Sequence, residues 1–130
     1  MSNLTTTLPG GPAAPGLARA ALAERFAEGI DSDCANTLKL LSSEVVTNCV
    51  KHAGAGTGTP IELRAWMLSG CIHVEVSTAA RPFRYVAEGP IRGDHGRGLF
   101  LVGELSRSWG IVDNGRNTVW FKVAVSGEDQ

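Results

Sequence analysis

Glu44 and Asn48, in the run SSEVVTNCVKHAG, are the residues of this chain whose types and spacing most directly suggest chemistry. Four residues is close to one helical turn, so the two side chains leave neighbouring points of one stripe, with His52 a turn further on. An Asn48 carboxamide oxygen can ligate Mg²⁺, a cation that takes oxygen ligands, often only one or two of them from protein. A Glu44 carboxylate can take a proton from a hydroxyl nucleophile that comes within hydrogen-bond reach. Phosphoryl transfer asks a protein mainly to position groups and neutralise charge, and this pair divides that labour. Taken alone, Glu-x-x-x-Asn reads more readily as a solvated helix face, since exposed faces commonly carry such residues.

The second constellation is Gly96-Arg97-Gly98-Leu99-Phe100-Leu101-Val102, a glycine-punctuated loop opening into an amphipathic pattern. Glycines let backbone approach phosphate, and the unpaired N–H groups at a helix N-terminus attract anions. The bland alternative is a tight turn. Periodicity is lost from Thr78 to Arg97, where Gly89, Pro90, Gly93 and Gly96 interrupt the chain. About 20 irregular residues inside a small domain are usually a lid, a binding loop or disorder. Arg81, Arg84, Arg92 and Arg97 there could neutralise phosphates or simply be solvated.

Elements to position these groups are legible on either side. Residues 1–15 are rich in Thr, Gly, Pro and Ala and read as a mobile arm, with a short edge strand near Leu4. LARAALAERFAEG places Leu17, Ala21, Leu22 and Phe26 near one face of a first helix stopping at about Gly29. Asp31, Ser32 and Asp33 offer N-cap oxygens to a second, longer helix over residues 34–52, whose apolar stripe is Leu38, Leu41, Val45 and Cys49. AGAGTGT then breaks the chain, and strands are predicted over 60–67 and 71–77 with a turn at Ser69-Gly70. A third helix is predicted over 98–108, and strands over 108–112 and 118–125 flank the hairpin turn Asp113-Asn114-Gly115-Arg116. The order predicts an α+β, two-layer α/β sandwich, with helices on one face of a mixed, mostly antiparallel sheet. One domain over 16–126 with a tail at 127–130 accounts for the 130 residues.

Formal net charge is −1, so nothing in the bulk composition suggests nucleic-acid binding or attraction to an anionic membrane surface. Cys34, Cys49 and Cys71 are odd in number and sit among apolar residues, which suits reduced core thiols better than disulfides or a metal site. With neither a signal-like start nor a spanning apolar run, the expectation is a cytoplasmic protein that is not membrane-anchored.

Taken together, SEVVTNCVKHAG, VEVS, HGRGLFLVGELSRSWG and NTVWFKV resemble the successive motifs of the GHKL, or Bergerat-fold, ATP-binding family. The likeness runs over about residues 17–125 and is greatest to free-standing anti-sigma-factor serine/threonine kinases. It implies ATP held between helices and a lid, with Asn48 as Mg²⁺ ligand and Glu44 as catalytic base. Gly96, Arg97, Gly98 and Leu99 would form the phosphate-side turn, Lys51 and His52 the pocket entrance, and Thr118 the support at the adenine end. Arg19 matches an arginine with which relatives hold a sigma factor. The resemblance also implies a sigma factor and an anti-anti-sigma factor as partners, and a homodimer through the sheet or the first helix.

One departure stands out. Relatives follow the second strand with an Asp that accepts a hydrogen bond from the adenine amino group, but VEVSTAARPF has Thr78 or Ala79 there, and no carboxylate lies between Glu75 and Glu88. Alternation from Val74 and Val76 sends Glu75 to the other face. Two readings follow, an anti-sigma kinase that phosphorylates its antagonist on serine, and a pseudokinase that only binds partners. A fragment of an ATP-hydrolysing or sensor kinase is a third reading, disfavoured because no phosphoacceptor His segment is seen upstream.

Overall fold

The computed structural model describes residues 3–51, 58–79, 97–113 and 116–126. Its elements run β1 (Asn3–Leu8), α1 (Ala14–Arg25), α2 (Ser32–Lys51), β2 (Ile61–Leu68), β3 (Cys71–Thr78), α3 (Arg97–Leu105), β4 (Ser108–Asp113) and β5 (Asn117–Ala124). The strands form one sheet in the order β1-β2-β3-β5-β4. Every pairing among them is antiparallel, in line with the mostly antiparallel sheet expected.

The first residues form the short edge strand expected near Leu4. Asn3–Leu8 pairs with β2 along its whole length, and Leu4 and Leu8 are buried. Three consecutive threonines suit a strand, and the period of two across Leu4, Thr6 and Leu8 turns both leucines to the core. The first helix likewise begins earlier than its periodicity suggested, at Ala14 with a proline in its first turn, and ends at Arg25. Its buried residues are Ala14, Ala18 and Leu22, with Phe26 just beyond, while Leu17 is 44% exposed. The core face is therefore rotated by one residue from the one that included Leu17. Gly29, expected as the helix stop, takes a φ of 90° in the connection that follows.

The longest helix starts where its cap residues predicted. Asp31 Oδ1 accepts a 2.8 Å hydrogen bond from the Cys34 N–H, and its carbonyl accepts from Ala35. A cap of this type is worth about 1 kcal/mol. Leu38, Leu41, Val45 and Cys49 are essentially inaccessible, as the apolar spacing required. They face Ile61, Leu63, Val74, Val76, Val119 and Phe121 of the sheet, each such burial contributing about 1.5–3 kcal/mol. The β2–β3 turn is also as expected, with Ser69 and Gly70 both at positive φ (56° and 76°). The Asn114-Gly115 turn and the tail at 127–130 lie outside the described residues.

Two hydrogen bonds set the direction of α2 over the sheet. Asp31 N–H donates to the Val125 carbonyl, and Val125 N–H donates to that of Gly70, so α2 starts at the β3-start, β5-end side. A 20-residue helix is about 30 Å long and an eight-residue strand about 27 Å. The last turns of α2 therefore reach the opposite end of the sheet, where β3 finishes at Thr78 and β5 begins at Asn117.

Candidate functional site

The neighbour of α2 on the side that matters is α3, which packs along it. Leu105, the last residue of α3, lines a groove with Cys34 and Thr37 from the start of α2. The two helices are therefore antiparallel, and the beginning of α3 at Arg97, Gly98 and Leu99 lies toward the end of α2 that carries Glu44 and Asn48. On the α2 helical wheel Thr37, Glu44 and Asn48 fall within one narrow stripe, so Glu44 and Asn48 share the flank that Thr37 turns to α3. The fold thus brings together the two motifs that the sequence separates by about 50 residues.

Within that stripe the environments differ. Asn48 is only 6% exposed, and Glu44, one turn earlier, is half-buried. A solvated polar face would leave Asn48 open to water, so the bland reading of this spacing fails at Asn48. Beside it, burial pushes the Cys49 thiol up to about 12, which marks the floor under this end as apolar. Lys51, at the last helical position, is exposed, and its charge suits a helix C-terminus. His52 and Gly96 lie outside the described residues, as does the expected lid over 80–96.

At the far end of the cleft the sequence expectation needs one correction. Thr118 does not face the helices. It pairs across the ladder with Ser77, their hydroxyls sharing a 2.8 Å hydrogen bond on the opposite face of the sheet. Alternation explains this, because Val119, Phe121 and Val123 turn to the core and Thr118 must then turn away. The core-facing residue at the start of β5 is Asn117, buried at 6% and directly opposite Thr78. Sequence reasoning missed Asn117, although counting back by twos from Phe121 and Val119 would have found it.

Thr78 is completely buried, and its hydroxyl donates to the Pro60 carbonyl at 3.3 Å. Ala79 next to it is exposed. Glu75 points away from the cleft, as alternation predicted, and pairs with Arg64 at 3.2 Å on the outer face. The core side of the sheet therefore presents the neutral Thr78 and Asn117 at this end, with Asp113 of β4 directly opposite Asn117 in the ladder. Arg19, expected as a partner contact, donates from Nη1 to Ser43 Oγ at 2.8 Å, bridging α1 and α2 on the flank away from α3.

A bound Mg²⁺ and ATP fit this geometry unequally. At the α2–α3 end, a largely buried carboxamide and a carboxylate one turn away suit a cation carrying phosphate. Asn48 would hold the metal, Glu44 would take a proton, and the first backbone N–H groups of α3 would face anionic oxygens. At the Thr78–Asn117 end, the strand β3 offers a purine amino group the Thr78 hydroxyl in place of a carboxylate, next to the Asn117 amide. The three cysteines are buried free thiols, and no group of three or more His, Cys, Asp or Glu among the described residues could hold a metal.

The comparisons agree with this architecture. Among solved structures, a blue-light activated histidine kinase of Erythrobacter litoralis EL346 superposes with a TM-score of 0.59 at 23% identity, over 91% of this chain and 42% of that one. The histidine kinase domain of the same protein superposes with a TM-score of 0.56 at 22% identity, over 87% of this chain and 60% of that one. The chain therefore spans less than two thirds of either, and identities this low speak for the fold alone. No curated protein matches. No helix among the described residues is long and apolar enough to cross a membrane. Residues 9–123 match the family model of the histidine kinase-like ATPase domain, and the chain belongs to that family.

Proposed function

We propose that this domain is a partner-switching regulator of the anti-sigma serine-kinase type, a Mg·ATP-binding module whose grip on the adenine is weakened. It would hold a sigma factor, an anti-anti-sigma antagonist or both, and transfer phosphate to a serine of the antagonist. The observation that carries the reading is Asn48, only 6% exposed, one turn from a half-buried Glu44 on the flank of α2 that meets α3. A domain kept only for its surfaces has no need to bury an amide there. Phosphorylation adds about −1.5 to −2 charge to the antagonist and would break a packed interface by repulsion and desolvation, releasing the exchange between partners.

A second reading, a pseudokinase acting purely by protein binding, is favoured by Thr78. Losing one charged hydrogen bond to the purine costs about 1.5–3 kcal/mol, or about 10- to 150-fold in affinity. The buried Thr78 hydroxyl is already engaged with Pro60, so it replaces little of that. Calorimetric titration with ATP and with ADP, each with Mg²⁺, separates the two. Micromolar binding, followed by serine phosphorylation of an antagonist, supports the kinase. Absence of heat together with an unchanged melting temperature overturns it in favour of the pseudokinase, because a ligand that binds the native state must raise that temperature.

A further inference from the structure

Asn117 breaks a local rule of the fold. Asparagine is depleted from strands, and a polar group turned to the core costs free energy unless it is paired, yet Asn117 opens β5 at 6% exposure. Departures of this kind concentrate at functional sites. The ladder sets Asn117 in the last row of the sheet, between Thr78 of β3 and Asp113 of β4. One core-facing row further in, Leu63, Val76 and Val119 are apolar and inaccessible. Hydrogen-bonding groups on β3 and β5 therefore begin where that apolar floor stops.

The helices single out the same residue. α2 packs on β3 and β5, and α3 packs on β4, so the seam between the two helices runs over β5. Asn117 is the first residue of that strand, at the end of the sheet where the last turns of α2 and the beginning of α3 lie.

What a carboxamide can read follows from its two ends. It carries a carbonyl acceptor beside an N–H donor, and turning the group over exchanges them. A 6-aminopurine presents a donating amino group beside an accepting N1, and a 6-oxopurine presents an accepting O6 beside a donating N1–H. One orientation of Asn117 matches the first edge, and the other matches the second. A carboxylate only accepts and so favours the amino form. Strand β3 supplies none, since its last residue is Thr78, whose hydroxyl donates to the Pro60 carbonyl. With two donors and two acceptor lone pairs, a carboxamide is not exhausted by one contact within the protein.

We propose that Asn117 is the base-reading residue of the cleft, and that the cleft accepts 6-aminopurine and 6-oxopurine nucleotides alike. The inference rests on the nucleotide-binding reading above and adds the class of base.

Calorimetric titration with the Mg²⁺ complexes of ATP and inosine triphosphate tests it, because the two nucleotides differ only along the edge in question. Their affinities for the wild-type chain should agree within about three-fold, as neutral hydrogen bonds are exchanged like for like. Asn117→Leu keeps the size, removes both hydrogen bonds and should weaken the two nucleotides together by about ten-fold. Asn117→Asp should favour ATP over inosine triphosphate by about ten-fold or more, the scale of a hydrogen bond to a charged group. Melting temperatures show whether each variant folds, and a ratio of two affinities measured on one folded protein is not moved by a residue that merely packs. If the wild-type chain prefers ATP by about ten-fold or more, the inference is overturned while the nucleotide reading stands. Loss of that preference in Asp113→Asn would then assign the base to Asp113. Equal affinities that Asn117→Leu leaves unchanged also overturn the inference. Heat from neither nucleotide overturns both readings together.

Discussion

The two ends of the α2–α3 cleft were built by different rules. At the α2–α3 end, polar groups are arranged along a single helix and sealed beneath by Val45 and Cys49, so Asn48 is buried on a rigid element. At the other end, the chemistry depends on which residues two strands bring opposite each other, and the ladder delivers Thr78 against Asn117. The first end carries Glu44 and Asn48 on the flank that meets α3, and the second sets the neutral Thr78 and Asn117 opposite each other, with Asp113 across from Asn117.

The sharpest way to break the comparison is at the reactive end. Glu44→Gln should lower serine phosphorylation of an antagonist by about 100-fold or more, the scale of a general base, while nucleotide affinity and melting temperature stay within error. An unchanged rate in a radiolabel transfer assay would show that Glu44 takes no proton. Thr78→Asp attacks the other end and should raise ATP affinity by about 10- to 150-fold. The same substitution should lower the melting temperature of the nucleotide-free protein, since it buries an unpaired charge in a position with no exposure. Calorimetry and thermal melts on one variant therefore read gain and cost together, and a gain absent from both would place the purine elsewhere.

Smaller effects sharpen the contrast. Asn48→Ala should weaken ATP binding in Mg²⁺ by about 10-fold, the scale of one hydrogen bond to a charged group, and leave binding in excess chelator almost unchanged. Equal loss in both conditions would remove the metal from Asn48. Cys49, under the same end, gives a pH test. Burial holds its thiol up at about 12, and burial with the nearby Asp31 and Cys71 charges holds Cys34 at about 11. Both thiols lose their protons more easily when the chain unfolds, so the stability they contribute is complete below about pH 9 and declines as pH rises toward those values. Melting temperatures should therefore fall between pH 9 and 11, less steeply in Cys49→Ala. Iodoacetamide at pH 8 should leave Cys49 unmodified in the native protein, and rapid labelling there would show that the floor is open.

Local signals in the chain were strong where one residue type dictates one conformation. Asp31 as a cap, the apolar repeat from Leu38 to Cys49 and the Ser69-Gly70 turn were each legible, because capping, helical spacing and positive φ are properties of short segments. The outward turn of Glu75 was legible for the same reason. The edge strand near Leu4 was legible but not its extent over residues 3–8, because composition carries no record of a partner strand. A threonine-rich run is an arm in isolation and an edge strand once β2 offers it hydrogen bonds.

Sequence alone determined the α+β class, the long capped helix, the Glu44–Asn48 stripe, and the absence of a carboxylate between Glu75 and Glu88. It assigned Thr118 to the adenine end by motif, whereas strand parity, set by packing of Val119 and Phe121 against α2, turned Thr118 outward and brought Asn117 in. Burial of Asn48, the antiparallel approach of α3 and the pairing of Thr78 with Asn117 were decided only by tertiary structure. Each depends on contacts between segments tens of residues apart, and no local spacing encodes which faces of two elements will meet.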